Sequence, residues 1–241
     1  MLMLDSVSKT FGGLQAVHRI TLSVTAGEIV GLIGPNGAGK TTLFNLVTGT
    51  YRPDTGCILF RGQNITRLGP HQRCQRGIAR TFQLVRPFHG LSVLDNVAVG
   101  RLYGSKAVWN RRQAEAESYE SLELVGLATR AADPAGHLTL VDRKRLELAR
   151  ALATRPMLLL LDELLAGLNP TEVLEAMQLI QQIRTMGVTI VMVEHLVKAI
   201  FSISDRVVVL NAGEKIAEGA PAAVAHHPQV IDAYLGAPHV A

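Results

Sequence analysis

Eight consecutive residues, Gly34-Pro35-Asn36-Gly37-Ala38-Gly39-Lys40-Thr41, match the pattern G-x-x-x-x-G-K-[ST]. The chemistry of that pattern is phosphate binding. Glycines let the backbone wrap closely enough for its N–H groups to face phosphate oxygens, and the N-terminus of a following helix adds partial positive charge. Lys40 is expected to reach the β- and γ-phosphates of a nucleoside triphosphate, and the Thr41 hydroxyl to ligate Mg²⁺. An ordinary glycine-rich turn would not need the terminal Lys-Thr pair. Further on, Asp162-Glu163 ends the apolar run Met157 to Leu161. Two carboxylates at the carboxyl end of a buried strand lie where parallel α/β sheets bind ligands. Asp162 is expected to hold Mg²⁺ through water, and Glu163 to polarise the attacking water as general base. Gln83 follows the strand-like Ile78 to Phe82, and His195 follows Val188 to Val193. In isolation each would be a surface polar residue. On the same edge as the carboxylates, the Gln83 amide can orient water or bind Mg²⁺, and the His195 imidazole can donate to a γ-phosphate.

These groups require strands to carry them and helices to start beside them. Short β-branched or aliphatic runs recur at Ile20 to Val24, Ile29 to Ile33, Met157 to Leu161, Val188 to Val193 and Val207 to Leu210. Several precede helical patterns, as in a mainly parallel sheet with crossover helices. The phosphate-binding pattern sits between the Ile29 to Ile33 strand and a helix expected over Thr42 to Val47, so Thr42 joins the nucleotide-binding set. Between about Leu84 and Ala153 strand signals give way to helical periodicity, at Gln113 to Leu127 and Asp142 to Leu152. The reading is one α/β domain over residues 1–241, with core segments 1–83 and 157–241 and a helical subdomain over 84–156.

Composition bounds the partners. A chain of 241 residues with 48% hydrophobic and 18% charged residues buries a substantial core, which excludes a disordered class. Its net charge of +4 permits a nucleotide or an anionic membrane surface as partner but decides nothing alone, and no basic stripe interleaved with aromatics marks a nucleic-acid surface. Cys57 and Cys74 stand in no metal-binding spacing, which favours a reducing compartment. No signal-peptide core opens the chain, and no window approaches the roughly 18 uninterrupted apolar residues of a membrane span. A membrane role is therefore expected to come through partners.

The order of motifs resembles the nucleotide-binding domain of ABC (ATP-binding cassette) proteins: phosphate loop, Gln83, helical insert, Asp162-Glu163, then His195. The resemblance spans essentially the whole chain. It implies a P-loop NTPase core with a mainly parallel sheet, an N-terminal antiparallel β region and the inserted helical subdomain. It also implies ATP with Mg²⁺ as ligands, a role for Gln83 in a loop coupled to a membrane subunit, and for His195 as a γ-phosphate sensor. Phe11, in Lys9-Thr10-Phe11-Gly12-Gly13, matches the aromatic that stacks on adenine in that family.

Two segments depart from the family pattern. The signature L-S-G-G-Q becomes Leu138-Thr139-Leu140-Val141-Asp142, in which Thr139 keeps a hydroxyl able to cap the following helix, while Leu140 and Val141 replace glycines. By resemblance, Thr139 and that helix start face a nucleotide held by a partner subunit. After Glu163 the chain runs Leu164-Leu165-Ala166-Gly167-Leu168-Asn169-Pro170-Thr171-Glu172, where Asn169, Pro170 and Glu172 fit N-cap, N1 and N3 of a helix.

Further segments look like the ATPases of branched-chain and other hydrophobic amino acid or amide uptake systems. They are Arg80-Thr81-Phe82-Gln83, Arg86-Pro87-Phe88, Ala166 to Glu172, and Asp232-Ala233-Tyr234-Leu235-Gly236. That branch implies a second ABC ATPase subunit, two integral membrane permeases and a substrate-binding protein, with this chain peripheral at the cytoplasmic face. The rival reading is a soluble ABC-type ATPase acting on a non-transport macromolecular partner. A non-hydrolysing regulatory module is a third, opposed by the intact Lys40, Thr41, Asp162, Glu163 and His195 set.

Overall fold

The apolar runs around Ile29–Ile33, Leu158–Asp162, Thr189–Val193 and Val207 to Leu210 become strands buried on both faces, whereas Ile20 to Val24 alternates buried and exposed within a longer strand. The computed structural model describes residues 1–83 and 85–235. Leu84, which opens the expected helical subdomain, and Gly236, which ends the expected terminal motif, lie outside the described residues. In chain order the first elements are strands β1 (Leu2–Phe11), β2 (Leu14–Val24) and β3 (Ile29–Ile33), helix α1 (Lys40–Thr48), then β4 (Thr55–Phe60) and β5 (Gln63–Asn64). There follow α2 (Pro70–Gln75), β6 (Ile78–Arg80), α3 (Val93–Tyr103), α4 (Arg111–Leu124), α5 (Leu140–Ala153), β7 (Leu158–Asp162) and α6 (Pro170–Thr185). The last are β8 (Thr189–Val193), α7 (Val197–Ile203), β9 (Arg206–Asn211), β10 (Glu214–Gly219), α8 (Pro221–Ala225) and α9 (Pro228–Leu235).

The chain divides into two compact units, one of Met1–Gly69 with everything from Thr189 onward, the other Pro70–Val188. In the first unit, β2, β1, β4 and β5 form an antiparallel sheet in that order. A second sheet runs β10, β9, β3, β8, with β3 parallel to both β8 and β9 and β10 antiparallel at the edge. Every residue of β3 and of β8 is buried. Each Val, Ile or Leu side chain so buried contributes about 1.5–3 kcal/mol, which is why these runs read as nearly continuous rather than alternating. In the second unit β6 pairs in parallel with β7, Ile78 opposite Leu158 and Arg80 opposite Leu160. Helices α3, α4 and α5 pack on one another there over a core that includes Val97, Leu122, Leu146 and Leu148. The fold is α/β, with an antiparallel N-terminal region and a helical segment between β6 and β7.

Differences from the sequence expectation sit at element ends. Helix α1 starts at Lys40 rather than Thr42 because Gly39 is its N-cap, in the left-handed conformation. Helix α4 stops at Leu124, before Gly126 at φ +74°. The strand-like stretch Ile78 to Phe82 is strand only to Arg80, and Phe82 is 55% exposed. Helix α3 has no counterpart in the periodicity. Its start is marked instead by Ser92, whose side chain accepts from the Asp95 N–H.

Candidate active site

In the first unit β3 delivers the chain into the glycine loop. A Cβ on Gly34 would lie 2.1 Å from the Leu210 carbonyl oxygen, and one on Gly39 2.3 Å from that of Ala16. Both glycines also hold positive φ, +152° and +100°, so a side chain at either is excluded by space and by backbone conformation. The turn is closed by an Ala38 N–H to Pro35 carbonyl bond of 3.2 Å and tied to the β9–β10 turn by a Gly213 N–H to Ala38 carbonyl bond of 3.1 Å. Asn36, Gly37 and Thr41 are exposed and Thr42 half-buried, while Lys40 is buried. The Lys40 ammonium donates to the Gly34 and Pro35 carbonyls at 2.7 and 2.9 Å, bracing the loop it belongs to. Tyr234 of α9 hydrogen-bonds to the Gly34 backbone, and burial pushes its phenol pKa up. The loop thus presents exposed backbone at the start of α1, where N–H groups are not used by the helix itself.

Phe11 ends β1. Its ring, 39% exposed, meets the Tyr51 ring edge-on at a centroid distance of 5.1 Å. Lys9 beside it pairs with Asp54 at 2.6 Å, and Asp54 also accepts from the Thr10 N–H. These bonds hold the Asp54 carboxyl below the usual range, the Lys9 bond first among them. Tyr51 therefore backs the aromatic that the sequence singles out. His195 follows β8 on the exposed surface, and its carbonyl accepts from the Val197 N–H at 3.0 Å.

In the second unit β7 ends in Asp162, which is buried. Its N–H donates to the Thr81 hydroxyl at 3.2 Å, and its carboxylate pairs with the Arg80 guanidinium at 2.5 Å. Glu163, next along, is half-buried and has φ +51°, a left-handed conformation that a residue with a side chain adopts only under constraint. Its carboxylate accepts from the Gln83 amide at 2.6 Å. Gln83 and Glu163 are thus in direct contact, and Arg80 three residues earlier holds Asp162.

Helix α5 begins where the family signature would stand. Thr139 is its N-cap, accepting from the Asp142 N–H at 3.2 Å and donating to the Asp142 carboxylate at 2.9 Å. Arg130 pairs with the same carboxylate at 2.6 Å. Leu140, 57% exposed, starts the helix, so the residues replacing the glycines are accommodated as its first turn. We expect Thr139→Ala to cost about 1 kcal/mol of stability, the usual loss for a hydroxyl N-cap, read as a lowered thermal midpoint. An unshifted midpoint would mean that the Arg130 pair fixes the helix start unaided. After Glu163, Asn169 forms the expected capping box with Glu172, with Pro170 in the first turn of α6.

Sequence reasoning did not find Tyr51, Tyr234, the Arg80 pairing with Asp162, or two buried charges of α5. Lys144 donates to the carbonyls of Glu163 and Leu164 at 3.2 and 2.8 Å, and Glu147 lies beside the Phe82 backbone and pairs with Arg150. Burial pushes the Glu147 carboxyl pKa up, opposed by these two partners. Nothing in local spacing signals such contacts, which depend on elements distant in sequence.

Comparison with known proteins adds three kinds of likeness. Residues 17–166 match the family described as ABC transporter, and residues 214–240 the one described as branched-chain amino acid ATP-binding cassette transporter. The chain is 41% identical to the high-affinity branched-chain amino acid transport ATP-binding protein LivG of Escherichia coli strain K12, with 98% of each chain covered. Among solved structures it resembles a nucleotide-free ATP-binding cassette from an ABC transporter, at TM-score 0.90 and 28% identity, covering 98% of this chain and 99% of that one. It also resembles the ADP conformation of MJ1267, an ATP-binding cassette of an ABC transporter, at TM-score 0.88 and 29% identity, with the same coverage.

Proposed function

Because this chain belongs to the ABC transporter family of ATP-binding cassettes, we propose that it is the ATPase subunit that energises uptake of branched-chain or other hydrophobic amino acids, or related amides. The observation that carries the reading is the full-length identity of 41% to an ATP-binding subunit of a branched-chain amino acid system, LivG. The similarity of residues 214–240 to the branched-chain cassette family supports the same branch.

The residues divide the work as follows. The Gly34 to Thr42 loop and helix start bind the phosphates, with Lys40 turning from its own loop carbonyls to phosphate oxygens. Phe11, backed by Tyr51, takes the adenine. Glu163 accepts the proton of the attacking water, Gln83 holds the Glu163 carboxylate through its amide, and His195 donates to the γ-phosphate. Asp162, Thr41 and Gln83 hold Mg²⁺, which supplies charge neutralisation on the phosphates when bound. The donor set fits that ion. Among the described residues no cluster of three or more His, Cys, Asp or Glu side chains forms a cage, and Mg²⁺ asks for only one or two carboxylates beside phosphates and waters. The Arg80 guanidinium, paired with the Asp162 carboxylate at 2.5 Å, holds that side chain in place at the end of β7.

Among the described residues no helix is long and apolar enough to cross a membrane. We place the chain at the cytoplasmic face of the membrane as a peripheral subunit, paired with a second ATPase, each nucleotide lying between one subunit's phosphate loop and the other's Thr139 helix start. Two permeases receive the movement through the helical segment 84–156 and the Gln83 loop, and a binding protein delivers the substrate. No nucleic acid takes part.

The test is to recover the tagged chain from detergent-solubilised native membranes and identify what accompanies it by mass spectrometry. We expect two polytopic membrane proteins and a second cassette ATPase. Soluble partners alone, from membranes shown to be intact, would replace this reading with that of a soluble ATPase working on another macromolecule.

A further inference from the structure

We propose that Lys144 is a positioning residue for hydrolysis: from α5 it grips the carbonyls of Glu163 and Leu164 and so fixes the peptide that carries the general base. The inference rests on the reading of Glu163 as that base.

The argument starts from the backbone of Glu163. A residue with a side chain at φ +51° is strained, and such strain, of order 1–3 kcal/mol, persists only where the surroundings over-determine the conformation. The Lys144 ammonium is one surrounding group that does so, beside the Ala166 N–H, which donates to the same Glu163 carbonyl at 3.4 Å. Lys144 is 7% exposed, and it donates to the Leu164 carbonyl at 2.8 Å and to the Glu163 carbonyl at 3.2 Å. One ammonium therefore fixes the orientation of two successive peptide units, and with it the direction in which the Glu163 side chain leaves the backbone. That direction brings the Glu163 carboxylate to the Gln83 amide at 2.6 Å.

Gln83 is held from the same helix. Glu147, one turn beyond Lys144 and on the same face of α5, lies close enough to the backbone of Phe82, the residue preceding Gln83, for that backbone to hold its carboxyl pKa down against burial. Both ends of the Gln83 to Glu163 contact are thus anchored on α5, whose first turn is set by the Thr139 cap. Burying a lysine is costly unless its charge is compensated. An apolar residue with the same stem would fill this place for packing alone. What distinguishes lysine is donation to the two carbonyls beside the base. Because an error of about 1 Å in a reacting group costs about 100-fold in rate, losing this grip is expected to act on turnover.

The experiment measures steady-state hydrolysis and nucleotide affinity for the purified full chain and three variants: Lys144→Met, Glu163→Gln and the two combined. For Lys144→Met we expect kcat to fall by about 10- to 100-fold, with KM for ATP and nucleotide affinity within about twofold of the parent. We expect the double variant to be no slower than Glu163→Gln alone, because a residue that acts only by placing the base has nothing left to place. A general structural role would instead lower affinity with rate, and would slow Glu163→Gln by the full single-variant factor. Either result overturns the inference, as does parental turnover in Lys144→Met. Should the methionine variant not fold, Lys144→Gln, which keeps an N–H donor, is judged by the same criteria with a smaller expected loss. Parental hydrolysis by Glu163→Gln would sink the base assignment itself. A slow Glu163→Gln beside an unaffected Lys144→Met would sink only the role given to Lys144.

Discussion

Glu163→Gln is expected to bind ATP as the parent chain does and to hydrolyse it about 10²–10⁴-fold more slowly, the range lost with a general base. The separation of binding from turnover follows from the geometry. Glu163 stands at the end of β7, and its carboxylate accepts from the Gln83 amide. A glutamine side chain has the same shape and offers a carbonyl oxygen to the same amide, so the local arrangement survives. What is lost is an oxygen able to take the proton of the attacking water. Single-turnover hydrolysis set against a fluorescent-nucleotide titration separates the two quantities. Parental turnover would remove Glu163 as the base and leave the water to another group.

Lys40→Ala is expected to do the reverse, weakening ATP binding by about 100-fold or more. Hydrogen bonds to a charged group are worth about 1.5–3 kcal/mol each, and every 1.4 kcal/mol is tenfold in affinity. Lys40 is buried, and its ammonium rests on the Gly34 and Pro35 carbonyls. In the proposed complex the ammonium exchanges those carbonyls for phosphate oxygens. Removing it subtracts the cation and also the brace that shapes the loop, so the two effects add. Titration of the variant with labelled ATP is the measurement. Unchanged affinity would confine Lys40 to bracing the loop and would assign phosphate binding to the backbone N–H groups alone.

The elements of both predictions differ in how far they could be read from the chain. The phosphate loop, the carboxylates at the end of β7, the Thr139 cap and the Asn169 to Glu172 capping box are all interactions among residues within a few positions of one another. Their chemistry is written in adjacent letters, and the folded chain keeps the Thr139 cap and the Asn169 to Glu172 box where the spacing puts them, while α1 starts two residues earlier than expected. Helix α3 escaped because its apolar residues do not keep to one face and a glycine, Gly100, sits in its last turn. The strand ending at Arg80 rather than Phe82 escaped because an apolar residue next to a site need not be buried. Phe82 is stacked instead under the Arg80 guanidinium, 5.2 Å from its ring centre.

By itself, then, the sequence determined which residue types are present for the phosphate, metal and proton-accepting roles proposed above, and that a buried parallel sheet would carry them. Those facts rest on local backbone preference and on the burial of short apolar runs. Only the tertiary structure decided that Arg80 would pair with Asp162 across 82 positions, that Gln83 would meet Glu163 across 80, and that Lys144 would donate to the Glu163 carbonyl from α5. Such contacts join elements brought together by strand pairing and helix packing. The free energy that selects them belongs to the whole core rather than to any window of the chain.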